Sequence, residues 1–133
     1  MSDSVKKVIG IEMSKSSVDD AIENVKLNKI ENIEFLCGKA EDILGNLIKK
    51  NGLDIGNVTA IVDPPRSGLH PKVSRALVHC KSIKSFVFVS CKPESVVDNF
   101  KILSEAFIPV KAVAVDMFPH TSHCELIVKF ERK

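Results

Sequence analysis

Cys91 has the most chemistry to offer in this chain. It sits in FVFVSCKPES, Phe86 to Ser95, where an apolar run delivers Ser90 and a thiol and then stops at Pro93, which withholds a backbone donor. The thiolate is the nucleophilic form, and both Lys92 and a helix expected to start near Pro93 favour it. Most free cysteines are inert core residues; the strand-end place and the polar flanks set Cys91 apart. Cys37 and Cys80 have less suggestive settings and read as structural. A second site is Asp63-Pro64-Pro65-Arg66, entered from the apolar run Val58 to Val62. Two prolines stiffen the backbone and remove two donors, so Asp63 is presented rigidly and Arg66 is free to meet a phosphate or carboxylate bidentately. The bland alternative is a proline-stiffened turn with an Asp/Arg surface pair. A third site is Glu12, ending the run Val8 to Ile11, where an acid in a nucleotide-binding α/β fold accepts bonds from ribose hydroxyls. Taken alone, it would read as a solvated carboxylate. The fourth is FPHTSHCE, Phe118 to Glu125. His120, His123 and Cys124 resemble metal ligands, but no fourth ligand stands at a useful spacing and a metal is not expected. Glu125, entering a strand beside this loop, is a candidate general base.

The elements that must position these residues follow from periodicity. Strands are expected at Val8–Glu12, Asn32–Leu36, Val58–Val62, Phe86–Val89, Val110–Val115 and Cys124–Glu131. The run Phe86–Val89 has no polar alternation and reads as buried on both faces. Helices are expected from the Ser14–Ser17 caps to about Asn28, with Val18, Ala21, Ile22, Val25 and Leu27 as the apolar stripe. A second follows Gly38, with Ile43, Leu44, Leu47 and Ile48 on one face. A third opens at Pro71 and runs through Val73, Ala76, Leu77 and His79. A fourth runs from about Pro93 through Val96, Val97, Phe100 and Leu103. Asn51–Asn57, with two glycines, reads as a loop. Strand and helix alternate and the chain closes on two successive strands. The expectation is a mostly parallel α/β sheet with helices on both faces and an antiparallel hairpin at one edge, within a single domain.

Composition narrows the function classes. With 133 residues, 44% hydrophobic and 27% charged, the chain suits one globular domain. No apolar run approaches the ~20 residues of a membrane span. MSDSVKK lacks a signal-peptide pattern, so the expected location is intracellular, cytoplasm or nucleus. Four cysteines without a CxxC pair indicate neither a disulfide scaffold nor a zinc ribbon. A net charge of +2 permits RNA binding without implying it.

Three collinear stretches carry a resemblance: VDPPRSGLHPKV, FVFVSCKPES and KAVAVDMFPHTSHCELIVKFER. Together they resemble the carboxyl-terminal catalytic half of the RNA uracil-5-methyltransferases, class I enzymes dependent on S-adenosylmethionine. Within that family the wording is closest to the eukaryotic enzymes that methylate uridine in the T-loop of transfer RNA. The resemblance runs from Val8 to Arg132. It implies a Rossmann-like methyltransferase sheet, RNA as partner and S-adenosylmethionine as cofactor. It also implies that Cys91 is the nucleophile, Glu125 the base, Glu12 the acid on the cofactor ribose and Asp63 an acid beside cofactor and target base. Pro64, Pro65 and Arg66 are then candidate substrate contacts. The chemistry requires such a pair: carbon 5 of uracil is a poor nucleophile until a thiolate adds at carbon 6, and a base must then remove the carbon 5 proton. The base must also leave its stack.

The departure from the family is the absence, before Val8, of its first strand and glycine-rich turn. In the family's sheet that strand lies between the strands ending at Glu12 and at Asp63. The sequence therefore reads as an amino-terminally truncated catalytic domain, residues 1–133, whose flanking strands either stay apart or close up on each other. A reading from another class is a catalytically inactive fragment serving as an RNA- or protein-binding module. Asp-Pro-Pro also occurs in adenine N6-methyltransferases, but those enzymes place an aromatic after the second proline, where Arg66 stands here, and need no thiol.

Overall fold

Alternating strand and helix patterns become two sets of crossover units in the computed structural model, which describes residues 4–50 and 58–133. The loop expected at Asn51–Asn57 lies outside the described residues. The chain divides into two compact units, Met1–Leu47 and Ile48–Lys133. No described helix is long and apolar enough to cross a membrane.

In the first unit, β1 (Val8–Glu12) and β2 (Ile33–Cys37) pair in parallel, from Val8↔Ile33 to Glu12↔Cys37, joined through α1 (Lys15–Leu27). A parallel pair needs such a crossover because a tight turn cannot reverse the chain twice. Ser14 caps α1, its hydroxyl accepting from the Ser17 N–H, and Val18 is the residue α1 buries fully. Ile22 and Leu27, expected on the apolar stripe, are exposed, Leu27 by 72%. Leu27 is the last residue of α1, beyond the reach of the two strands it packs on. Gly10 faces Phe35 across the ladder so closely that a Cβ would sit 2.6 Å from the ring. Only a residue without a side chain fits there. Following β2, α2 (Ala40–Lys50) buries Leu47, with Ile43, Leu44 and Ile48 half-buried on the expected face.

The second unit is a four-stranded sheet in the order β3-β4-β6-β5: β3 (Val58–Val62), β4 (Ile83–Ser90), β5 (Phe107–Val115) and β6 (Glu125–Arg132). β3 and β4 are parallel and joined through α3 (Pro71–His79); β6 is antiparallel to both β4 and β5. The closing antiparallel pair is thus present at one edge, with β6 inserted beside β4. A short 3₁₀ turn (Pro93–Val96) leads into α4 (Val97–Leu103), which packs with α3. Among the described residues β1 pairs only with β2, and β3 only with β4.

Phenylalanines build the core of this unit. Phe86 and Phe88 alternate onto one face of β4, fully buried, where Phe86 stacks on Phe130 at 4.6 Å and meets Phe107 edge-on at 4.8 Å. Phe100 of α4 closes the cluster edge-on against Phe88 and Phe130. Val87 and Val89, on the opposite face, are only half-buried, so β4 is not enclosed equally on both faces as its composition suggested. Its neighbours explain this: Val87 pairs with Lys129 and Ile61, and Ile61 is 52% exposed.

Arg132, at the end of β6, ties three elements together. Its guanidinium donates to the carbonyls of Leu77, Val78, Cys80 and Ile83 at 2.7–3.1 Å and lies 4.3 Å from the Phe107 ring centroid. Three of those carbonyls belong to the last turn and cap of α3, which have no intrahelical donor. A cation at a helix C-terminus is favoured by the helix dipole.

Candidate active site

Ligand sites in open α/β sheets gather beyond the carboxyl ends of the parallel strands. At that end of the second unit three neighbouring strands deliver the residues singled out from sequence. The β4–β6 ladder runs from Ser85↔Glu131 to Ser90↔Leu126. Cys91 directly follows β4 and Glu125 is the first residue of β6, so both adjoin the last pair of this ladder, at the same end of the sheet. Both are half-buried, reachable by a ligand yet shielded from bulk water. On the other side of β4, Val62 pairs with Phe88, which brings the Asp63 loop to the same end.

The local chemistry that turns the chain at Cys91 comes from Ser90. Its buried hydroxyl accepts from the Lys92 N–H at 3.2 Å. The helix expected from Pro93 begins instead as a 3₁₀ turn of 4 residues, without a side-chain cap, and the α-helix starts at Val97. The aligned peptide dipoles expected next to the thiol are therefore displaced from it, because α4 begins a turn later. Lys92, the other expected influence, is the exposed residue that follows Cys91.

After β3, Asp63 and Arg66 are exposed and Pro64 is buried beneath them. Gly68, at φ 81°, donates to the Pro65 carbonyl at 2.8 Å and closes the turn. Among the described residues neither Asp63 nor Arg66 enters an ion pair, so the surface pair considered from sequence does not form. Both charges are open to a ligand.

The Phe118–Glu125 loop is tied to itself. Thr121 Oγ1 donates to the Phe118 carbonyl at 2.7 Å and accepts from the His123 N–H, Asp116 accepts from the Phe118 N–H, and His120 adopts a left-handed φ of 66°. Cys124 directs its thiol to the carbonyls of Val115 and Glu125. His120, His123 and Cys124 thus do not converge on a metal, and no group of three ligating side chains occurs among the described residues.

In the first unit, Glu12 is exposed at the end of β1, and its Oε1 accepts from the Ser14 N–H at 2.7 Å. Gly38, entering the loop after β2, donates its N–H to the Glu12 carbonyl at 2.9 Å. Cys80 is buried as a structural cysteine should be, but Cys37 is exposed at the end of β2, its thiol directed at the Met13 carbonyl. As the last residue of a two-stranded ladder it has nothing packed over it.

One residue escaped the sequence reading. Asn99 is a buried asparagine on α4, and its signal was there: Val96, Phe100 and Leu103 mark the apolar stripe, and Asn99 falls on it at helical spacing.

The family model described as tRNA (Uracil-5-)-methyltransferase matches residues 1–133. The mouse tRNA (uracil-5-)-methyltransferase homolog A is 44% identical over 137 residues, which cover 96% of this chain and 22% of that protein. The zebrafish homolog B is 45% identical over 144 residues, covering 99% and 30% respectively. The crystal structure of Pyrococcus abyssi tRNA (uracil-54, C5)-methyltransferase in complex with S-adenosyl-L-homocysteine superposes with a TM-score of 0.77 at 33% identity, over 93% of this chain and 28% of that one. The chain spans less than a third of the length of these relatives. An rRNA methylase from Streptococcus thermophilus, 12% identical with a TM-score of 0.64, shares the Rossmann-like methyltransferase fold alone.

Proposed function

The chain belongs to the tRNA (uracil-5-)-methyltransferase family, and from that premise we propose that residues 1–133 are part of a single catalytic domain that methylates carbon 5 of uridine in RNA. The substrate in this reading is the T-loop of transfer RNA, the methyl donor is S-adenosylmethionine, and the location is the cytoplasm or nucleus. The observation that supports it is the end of the β4–β6 ladder at Ser90↔Leu126, which both Cys91 and Glu125 adjoin.

Two acids are assigned to the cofactor in this reading. Glu12 is an exposed carboxylate held at one oxygen by the Ser14 N–H, which orients it and leaves acceptor capacity for a ribose hydroxyl. Asp63, exposed and unpaired, is the second residue assigned to it. When bound, S-adenosylmethionine supplies an electrophilic methyl group for carbon 5. The protein's own part comes before and after. The Cys91 thiolate adds to carbon 6, forming a carbon–sulfur bond and moving the ring π electrons toward carbon 5 and the carbon 4 carbonyl. Once carbon 5 carries the methyl group, Glu125 takes its proton. The electron pair released reforms the ring double bond and expels Cys91 as thiolate. Arg66 and the flanking prolines Pro64 and Pro65 are assigned to the flipped nucleotide, Arg66 as a partner for its phosphate.

The deciding experiment offers the protein, with S-adenosylmethionine, a T-loop RNA bearing 5-fluorouridine. Carbon 5 then has no proton for Glu125 to take, so the adduct persists and survives a denaturing gel. Peptide mapping is expected to find it at Cys91. An adduct at another cysteine, or methyl transfer retained by Cys91→Ala, would overturn the assignment. A second reading, a non-catalytic module that binds RNA or a protein strand, draws on the strand edges of β1 and β3 that carry no ladder among the described residues.

A further inference from the structure

Asn99 has no part in the chemistry above, yet both ends of its carboxamide are engaged. Its Oδ1 accepts from the Leu69 N–H at 2.9 Å, and its Nδ2 donates to the Leu69 carbonyl at 2.8 Å and to Ser74 Oγ at 3.2 Å. The side chain is 6% exposed and Ser74 is fully buried. Leu69 lies in the loop that begins at Asp63 and carries Arg66, immediately before His70, whose Nδ1 accepts from the Lys72 N–H to cap α3. A side chain on the helix that follows Cys91 therefore grips both peptide groups of one residue in the loop that follows Asp63.

A carboxamide that meets the N–H and the C=O of the same residue copies the pairing of two strands and tolerates little displacement. Aspartate lacks the donor, alanine lacks everything, and glutamine is a methylene too long for a filled site. The rest of the loop has one other hydrogen bond among the described residues, the Gly68-to-Pro65 turn bond, which constrains its shape but not its place on the protein. Burial of Pro64 and Gly68 seats the loop, and the Asn99 contact adds the directional hold.

We propose that Asn99 is a positioning residue for the reaction: through Leu69 it holds the loop bearing Asp63 and Arg66 at a set distance from the β4–α4 segment bearing Cys91. This rests on the methyltransferase reading of the site. The contact joins the two segments that must close on one nucleotide, the nucleophile's and the one assigned to cofactor and phosphate. A misplacement of about 1 Å at such a site can cost on the order of 100-fold in rate.

The test compares the intact protein with Asn99→Ala, Asn99→Asp and a control, Leu103→Ala, which weakens α4 at a fully buried position and leaves both hydrogen bonds to Leu69 in place. Two readouts are taken: amide hydrogen exchange at Leu69, and kcat and KM for RNA methylation. Asn99→Ala is expected to speed Leu69 exchange roughly tenfold or more, leave Phe86 and Val128 protected, and lower kcat at least about tenfold with KM for RNA within about threefold. Asn99→Asp, keeping the acceptor alone, is expected to fall between. Leu103→Ala is expected to lower the melting temperature without either effect. Unchanged Leu69 exchange in Asn99→Ala would overturn the proposal, as would a Leu103→Ala variant that matches it in both exchange and kcat. A parent protein that transfers no methyl group would overturn the proposed function instead, and Leu69 exchange would still decide the clamp.

Discussion

Replacing Arg132 by methionine isolates the contribution of one side chain to the second unit. Methionine keeps an apolar stem against Phe107 and deletes the four hydrogen bonds to Leu77, Val78, Cys80 and Ile83. A hydrogen bond to a charged group contributes about 1.5–3 kcal/mol, so four taken separately would reach roughly 6–12 kcal/mol. That sum is too large. Arg132 is only half-buried, water reaches the freed carbonyls, and bonds to one guanidinium are not independent. Loss of the cation over Phe107 removes about 0.5–1 kcal/mol more. A net loss of about 2–4 kcal/mol is expected, a large share of the roughly 5–15 kcal/mol typical of a domain. With a urea m-value of about 1–3 kcal/mol/M, the midpoint falls by on the order of 1–2 M. The chain has no tryptophan or tyrosine, so far-UV circular dichroism is the probe of choice. Arg132→Lys is the informative companion. It restores a cation at the end of α3, about 0.3–1 kcal/mol, but not the fork that meets four carbonyls. A methionine variant within about 0.5 kcal/mol of the parent, or a lysine variant equal to it, would refute the reasoning.

Cys91→Ala is expected to abolish methyl transfer and the denaturation-resistant RNA adduct together, read by labelled-methyl incorporation and gel shift. Glu125→Gln is expected to let a methylated adduct accumulate, because only release needs the base; normal release would remove Glu125 from that role. Glu12→Ala is expected to weaken S-adenosylhomocysteine binding roughly tenfold or more, measured by isothermal titration, with the circular dichroism spectrum unchanged. Gly10→Ala is expected to cost about 1–3 kcal/mol, since its Cβ would meet the Phe35 ring at 2.6 Å.

Much of this was legible because the chain marks its strand ends clearly. Pro93 and the Asp63 prolines stop β4 and β3 at the residues that matter, and the last two apolar runs announced their antiparallel pairing. What sequence misread has physical reasons. The strand expected at Val110–Val115 starts at Phe107, because on an edge strand the missing donor of Pro109 faces away from the ladder, helped by the bulge between Pro109 and Lys111. Val87 and Val89 looked as buried as Phe86 and Phe88, since apolar type does not say which face α4 will cover. Arg132 carried no signal in the sequence, since its partners are main-chain carbonyls more than 45 positions earlier and carbonyls leave no trace in composition. Asn99 lay on a readable stripe, but its partner is again a backbone.

The place of β6 also sets an order in time. It follows β5 in the chain, yet it lies between β4 and β5. While the chain is being synthesised, β5 has no neighbour to pair with, and Ile108, Val110 and Val113 stand bare on it. A nascent strand in that state invites pairing with another chain, and Pro109, Lys111 and the bulge are the features that discourage it. Cys91, too, precedes Glu125 in the chain by more than thirty residues. In the reaction proposed above, the pair is therefore complete only once β6 has brought Glu125 to the sheet.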